Sequence, residues 1–253
     1  MVLVIDIGNT NTVLGLMDGE QVRHTFRISS AARTTDELGC LLMQLFAHRG
    51  LTSASVAGAI ISSVVPSLLY TVEKACRLYL EVDPLVVGRR LRTGIALRTD
   101  NPREVGADRI VNAVAAVHRW GAPVVVVDFG TATTFDCVNR KAEYIGGAIA
   151  PGFKISEEAL FSKTAKLPRV DIARPANAIG RNTVHAMQSG LFFGYVGLVD
   201  GLARRVRAEL DPQAKVVATG GLAALVASES TMIEEVDPHL TLRGLALLYA
   251  ANA

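Results

Sequence analysis

Cysteine is scarce in this chain: Cys40, Cys76 and Cys137 are its only three in 253 residues. They are odd in number and far apart, with neither metal-ligand spacing nor a disulfide framework, which fits a reducing compartment. Cys40 and Cys76 fall in apolar helical patterns and read as core. Long apolar runs are missing too; none approaches the roughly 18 residues of a membrane span. Met1 leads directly into a strand, leaving no room for a signal peptide, so the expectation is a cytoplasmic protein. Charge of one sign is equally lacking. A formal net charge of +2 is too near neutral to make nucleic acid the main partner. The dense basic clusters, Arg89-Arg90-Leu91-Arg92 and Arg204-Arg205-Val206-Arg207, read as solvated surface. No Gly-x-Gly-x-x-Gly follows the first strand, which disfavours a Rossmann dehydrogenase, and no Gly-x-x-x-x-Gly-Lys supports a P-loop enzyme.

What is present is a globular composition, half apolar and one-fifth charged, with length enough for two compact domains and a substantial core. Within it one short pattern occurs twice. Val2 to Ile5 delivers Asp6-Ile7-Gly8-Asn9-Thr10-Asn11-Thr12, and the apolar run Val13 to Met17 follows. A second copy begins 122 residues later: Val124 to Val127, then Asp128-Phe129-Gly130-Thr131-Ala132-Thr133-Thr134, then Phe135 to Val138. The β-branched runs read as strands and the residues between them as tight hairpin loops. Glycine lets backbone approach a ligand closely, while amides, Thr and Asn can donate to phosphate oxygens. An Asp where the ladder stops can hold a hard cation or its waters beside those phosphates. One Asp-x-Gly could be an ordinary turn. Two at half-chain spacing suggest two related lobes, each presenting a phosphate loop to a cleft.

In chain order, Asp18-Gly19 reads as a turn into a strand over Gln21 to Ile28. Thr34 with Glu37 resembles a capping box ahead of Leu38, Leu41, Leu42, Leu45 and Phe46 at helical spacing. Ala57 to Ser62 reads as a strand, Ser67 to Leu80 as a helix and Leu85 to Val87 as a strand. Together these make a layered α/β unit with a mixed sheet. In Asn101-Pro102-Arg103-Glu104-Val105-Gly106-Ala107-Asp108-Arg109, an acid and an arginine open the apolar helix beginning at Ile110. They read either as a helix-start acid and a solvated arginine, or as a carboxylate and guanidinium projecting into a cleft. Trp120-Gly121-Ala122-Pro123 breaks that helix and marks the expected domain boundary, giving lobes 1–120 and 121–253.

Farther on, Gly146-Gly147-Ala148-Ile149-Ala150-Pro151-Gly152 reads as close helix packing or as a backbone wall for a ligand. Asn182-Thr183 precedes a helix carrying Gly190, Gly194 and Gly197, which suggests close approach to another helix, possible in a second subunit. His185 reads as structural or interfacial, because no carboxylate orients it in sequence. Val216 to Ala218 delivers Thr219-Gly220-Gly221 into a helix from Leu222, a plausible adenosine-side wall. Leu240 to Ala251 reads as the last helix.

Assembled, these stretches resemble the type III pantothenate kinases. The matching motifs are Asp6-Ile7-Gly8-Asn9-Thr10-Asn11, Ser62-Ser63-Val64-Val65-Pro66, Asn101-Pro102 with Gly106-Ala107-Asp108-Arg109, the Asp128 loop, the Gly146 to Gly152 run, Asn182-Thr183 and Thr219-Gly220-Gly221. The resemblance implies an α/β, two-lobed ribonuclease-H-like fold of the acetate and sugar kinase, Hsp70 and actin superfamily, with a mixed β-sheet in each lobe. It implies a homodimeric kinase that phosphorylates pantothenate with ATP, the first step of coenzyme A biosynthesis.

Carried over by position, Asp6, Ile7, Gly8, Asn9, Thr10, Asn11, Thr12 and Val13 would meet ATP, with Asp6 on the Mg²⁺ side and Thr131 a further ATP contact. Asp108 would be the general base toward the pantothenate hydroxyl and Arg109 the partner of its carboxylate. Gly106 and Ala107 would add contacts to the substrate, and Thr183 would reach it from across the dimer. Asp128 would hold a monovalent cation, K⁺ or ammonium. Where some relatives place a tyrosine two residues before the Asn-Pro, this chain has Thr99, so an aromatic substrate contact is expected to be absent. Phosphoryl transfer demands positioning and charge neutralisation rather than an activated nucleophile, and such a residue set supplies both. An ordinary Asp, with a pKa near 3.9, would chiefly orient the alcohol and accept its proton late. Rival readings are a phosphohydrolase, another small-molecule kinase, or a non-enzymatic binder that uses nucleotide as a switch.

Overall fold

A computed structural model describes residues 1–88 and 91–253. Arg89 and Arg90, at the centre of the first basic cluster, lie outside the described residues. The elements in order are β1 (Val2–Ile7), β2 (Asn11–Asp18), β3 (Gln21–Ser29), α1 (Thr35–Ala47), β4 (Gly58–Ser63), α2 (Pro66–Leu80), β5 (Leu85–Val86), β6 (Ala96–Leu97) and α3 (Ala107–Trp120). They continue with β7 (Val124–Phe129), β8 (Ala132–Val138), β9 (Glu143–Pro151), α4 (Phe153–Lys163), α5 (Thr183–Leu210), β10 (Lys215–Gly220), α6 (Ala223–Ala227), β11 (Glu235–Val236) and α7 (Leu240–Ala250).

Two compact units form. The first comprises Met1–Ala96, Asp100–Ala115 and His239–Ala253, the second Leu97–Thr99 and Ala116–Pro238. This differs from a single break between 1–120 and 121–253: the last helix joins the first unit, and residues 97–99 and 116–120 join the second. Leu242, Leu245 and Leu248 of α7 bury against Val4, Ile60 and Val111 of the first unit.

The first unit's sheet runs β3-β2-β1-β4-β5, antiparallel from β3 to β1 and parallel from β1 to β5. Alternation along β1 sends Leu3, Ile5 and Ile7 toward Leu38, Leu42 and Phe46 of α1 and Val72, Ala75 and Leu80 of α2. Val4 faces α3 and α7 instead. With helices on both faces, β1 is apolar on both from Val2 to Ile5, which is why that run lacks a period of two; Asp6, near its end, is the exception. The start of α1 is a capping box: the Thr34 amide donates to Glu37 Oε2 at 2.7 Å and the Glu37 amide to Thr34 Oγ1 at 3.2 Å. Cys76 is buried, whereas Cys40 is exposed, contrary to its reading as core. At about 100° per residue, a position two away from both Leu38 and Leu42 turns off the buried stripe.

The second unit's sheet runs β11-β10-β7-β8-β9-β6. Its first five strands repeat the first sheet's order, with β7 in the place of β1, β8 and β9 antiparallel beyond it, and β10 and β11 parallel on its other side. The α5 helix continues unbroken for 28 residues. Its Phe192, Tyr195, Val196 and Val199 pack with Val125, Val127, Phe135 and Ala218. The short strands β6 and β11 lack the apolar runs by which the others are legible. Among the described residues no helix is long and apolar enough to cross a membrane.

At Gly244 in α7, a side-chain carbon would collide with the backbone carbonyl of Val111 in α3. Backbone cannot yield as a flexible side chain does, so Gly244→Ala forces the two helices apart. We expect a loss of about 1–3 kcal/mol of stability, the usual cost of overpacking a core, read as a lower thermal midpoint; an unchanged midpoint would refute the close approach.

Candidate active site

The two repeated acids stand at the ends of the central strands. Asp6, near the end of β1, pairs in register with Val13 of β2 and with Ser62 of parallel β4. Asp128 on β7 pairs with Thr134 of β8 and Thr219 of parallel β10. The hydroxyl-bearing neighbours, Ser62 and Thr219, are both buried. The duplication thus extends from the loop to the polar residue on the adjacent strand. In open α/β sheets, ligands meet such carboxyl ends of strands.

Each hairpin loop closes on its own glycine. The Gly8 amide donates to the Asn11 carbonyl at 3.1 Å, and the Gly130 amide to the Ala132 carbonyl at 3.1 Å. These amides are therefore committed to the turns. Gly8 shapes the loop, and the groups that can face a ligand belong to Asn9, Thr10 and Asn11 in the first loop and Thr131 in the second. Asn9, Thr10 and Thr131 are exposed at the tips. Ile7 belongs to the core beneath α1 and α2, while Val13 is partly buried against the separate cluster of Val4 and Leu242. Thr12 is buried, its hydroxyl 3.0 Å from Ser30 Oγ. Gly152 leaves no room for a side chain, which would meet the carbonyls of Gly130 and Thr131.

Asp6 keeps a part-exposed residue surface, but its carboxyl is largely enclosed, and its pKa is pushed up to about 7. Burial is the main cause, since desolvation disfavours the charged form; repulsion from the Asp108 carboxylate adds to it. The Ser62 hydroxyl opposes the shift in part, yet makes no hydrogen bond of standard geometry. Asp108 is likewise moved above the usual Asp value by burial. The backbone amide of Arg109, donating to Asp108 Oδ1 at 2.8 Å, and the Arg109 charge pull the other way. The expectation of an ordinary Asp at this position is thereby corrected, because enclosure makes it a stronger base. Asp108 is both a helix-start acid, as second residue of α3, and an electrostatic neighbour of Asp6. Gly106 lies so close that a side-chain carbon there would sit 2.5 Å from Asp108 Oδ1. Ala107 opens α3, and Arg109 is half-buried.

In the second unit, Gly220 has φ of 95°, and a side-chain carbon on it would lie 2.6 Å from the Phe129 carbonyl and 2.7 Å from Asp128 Oδ1. The Phe129 carbonyl and Asp128 Oδ1 thus converge beside Gly220. Gly146 and Gly147 also have positive φ, 117° and 159°, next to a register shift in the β8–β9 ladder. Near them Thr99 buries its Oγ1 without a hydrogen bond among the described residues. Thr183 is exposed at the start of α5, capped by Asn182, whose side chain accepts from the His185 amide at 2.8 Å. His185 is exposed and 3.3 Å from the Asn182 amide nitrogen.

The fold therefore brings Asp6 together with Asp108 in the first unit, and Asp128 with Gly220 and the Thr131 loop with Gly152 in the second. Sequence reasoning missed two contributors: Ser30 touches the first loop, and Tyr195, deep in α5, bonds Thr133 of the second hairpin. Gly220, read from sequence as part of a wall, also bears on Asp128. Only the two hydroxyls of Ser29 and Ser30, at the end of β3, could have signalled the first.

The type III pantothenate kinase family model matches residues 2–205. A type III pantothenate kinase from Geobacillus kaustophilus is 54% identical over 253 residues, spanning 100% of this chain and 98% of its own. One from Myxococcus xanthus is 56% identical over 253 residues, spanning 100% of this chain and 99% of its own. Among solved structures, a Baf family protein from Campylobacter jejuni matches with a TM-score of 0.60 at 18% identity, across 98% of this chain and 97% of that one. The fold is that of the actin, Hsp70 and sugar kinase group, with one mixed sheet in each unit.

An acid whose folded pKa lies above its unfolded value favours the folded state while protonated and loses that advantage as pH rises through the interval between the two values. For Asp6 the interval runs from the ordinary carboxylate range up to about 7. We therefore expect ligand-free Asp6→Asn to melt above the parent protein at pH 8, with the gap closing as pH falls toward 4. Melting curves that stay parallel across this range would refute the enclosed, uncompensated carboxyl.

Proposed function

Because the chain belongs to the type III pantothenate kinase family, and so is a kinase that transfers phosphate from ATP to pantothenate in coenzyme A synthesis, we propose the following roles for its residues. Asn9, Thr10 and Asn11 receive the ATP phosphates with Asp6 on the Mg²⁺ side, Gly8 and the buried Thr12 set the turn, and Ile7 and Val13 contribute through backbone alone. Asp108 is the general base. Arg109 pairs with the pantothenate carboxylate, for which its planar fork is suited, while Gly106 and Ala107 add backbone contacts. Thr131 is a second ATP contact.

The observation that supports this reading best is the pair of enclosed carboxylates, Asp6 and Asp108, which repel each other in the first unit. A magnesium ion takes oxygen ligands and often only one or two carboxylates. Asp6, disfavoured as an anion and beside the buried Ser62 hydroxyl, suits such an ion. When bound, the ion would neutralise phosphate charge. Asp108 holds the substrate hydroxyl and takes its proton on a carboxylate oxygen as the hydroxyl oxygen bonds to the γ-phosphorus and the bond from that phosphorus to the departing ADP oxygen breaks. Its raised pKa makes that transfer less uphill than it would be to an ordinary Asp. At Asp128, the convergence of its Oδ1 with the Phe129 carbonyl suits a hard monovalent cation, K⁺ or ammonium.

We place the enzyme in the cytoplasm as a homodimer in which Thr183 contacts the pantothenate held by the other subunit. In support, Gly190, Gly194 and Gly197 are exposed along α5 with nothing packed over them, and Ile179 is 85% exposed nearby in sequence.

The reading requires that ADP appear from ATP only when pantothenate is added; release without it would indicate a hydrolase. Asp108→Asn should retain the fold and ATP binding while turnover falls about 100-fold or more, within the range for loss of a general base. Near-normal turnover would remove Asp108 from the chemistry. Asp128→Ala should raise the KM for ATP and flatten the difference between potassium and sodium buffers, and a preserved potassium response would place the cation elsewhere.

A further inference from the structure

The chain leaving β3 returns beside the first loop, and Ser30 there binds it at three points. Its hydroxyl donates to the Gly8 carbonyl at 2.6 Å, and its amide donates to the Thr10 carbonyl at 3.0 Å. Its Oγ also lies 3.0 Å from Thr12 Oγ1. A serine hydroxyl has one proton. As that proton goes to Gly8, the buried Thr12 hydroxyl is the donor in the third contact.

Ser30 is itself held. The Arg33 guanidinium donates to the Ser29 carbonyl at 2.7 Å, to Ser29 Oγ at 2.9 Å and to the Ala31 carbonyl at 3.3 Å. Adjacent Asn11 and Ser29 are paired across the β2–β3 ladder. Four polar groups of the loop are thereby engaged: the Gly8 amide on Asn11, the Gly8 and Thr10 carbonyls on Ser30, and the Thr12 hydroxyl on Ser30. Asn9 and Thr10 lie at the exposed tip.

We propose that Ser30 is a positioning residue for ATP, fixing the first phosphate loop in its receptive shape before the nucleotide arrives. The proposal rests on the reading of that loop as the phosphate site. Ordering a loop in advance removes that cost from binding. Without the Ser30 hydroxyl, Gly8 loses a donor and the buried Thr12 hydroxyl loses its acceptor, so the loop samples shapes in which its tip no longer converges. The effect should fall on nucleotide affinity. Pantothenate contacts and the proton transfer at Asp108 do not pass through Ser30.

The test compares Ser30→Ala, Ser30→Thr and an Asn9→Ala/Thr10→Ala double variant, using calorimetry with the non-hydrolysable analogue ADPNP, steady-state kinetics and thermal melting. Two lost hydrogen bonds correspond to about a tenfold weakening. We expect Ser30→Ala to weaken ADPNP and raise the KM for ATP by about that factor, with kcat and the KM for pantothenate within about twofold. Ser30→Thr, which keeps the hydroxyl, should recover most of the affinity.

Equal weakening toward ADPNP and pantothenate, accompanied by a large fall in melting temperature, would make Ser30 merely structural and overturn the proposal. If the double variant loses ADPNP while Ser30→Ala binds it normally, the brace is wrong and the loop assignment survives. If both bind it normally, the phosphate site lies elsewhere and the brace falls with it.

Discussion

A carboxylate enclosed at the end of a central strand, with a buried hydroxyl on the parallel neighbour, is the constraint on which the candidate site turns. Asp6 beside Ser62 shows its consequence most directly: desolvation and the nearby Asp108 charge push its pKa to about 7. A folded chain without ligands thus carries unfavourable electrostatics in its first unit. Such arrangements concentrate where a protein acts rather than where it is merely stable. On the proposed assignment, a cation arriving with the nucleotide would offset the repulsion between Asp6 and Asp108.

Orientation of these acids depends on side chains that are missing. Gly106 gives the Asp108 carboxylate its place against the start of α3, Gly220 does so for Asp128, and Gly152 lets the carbonyls of the second loop approach β9 and α4. The polar groups supply chemistry, while the glycines determine direction. The sheet order explains why the geometry arises twice. In both units the acid-bearing strand lies between an antiparallel hairpin partner and a parallel neighbour, so each acid inherits a loop on one side and a hydroxyl on the other.

Much of this was legible in the sequence because it is local. The Asp-x-Gly loops are bounded by β-branched runs, the Thr34–Glu37 box has fixed spacing, and Asp108 sits at the start of an apolar helix. The arrangement of two mixed sheets could also be anticipated from the repeated strand–loop–strand units. What escaped was tertiary. Nothing near Ser30 in sequence identifies Gly8 and Thr12 as its partners, and Tyr195 lies 62 residues from Thr133. The elevated base strength of Asp108 depends on enclosure, which no spacing encodes. Cys40 looked like core because its neighbours are apolar, yet the rotation of α1 turns it to solvent.

The return of α7 to the first sheet has a consequence for biogenesis. Synthesis proceeds from the N-terminus, and domains commonly begin folding as they emerge. Here the strands carrying Val4 and Ile60 are made long before Leu242, Leu245 and Leu248, which cover them. A nascent chain on the ribosome therefore presents a half-clothed sheet until translation has finished. Early termination would strip that covering and leave an adhesive hydrocarbon surface for chaperones or proteases to find.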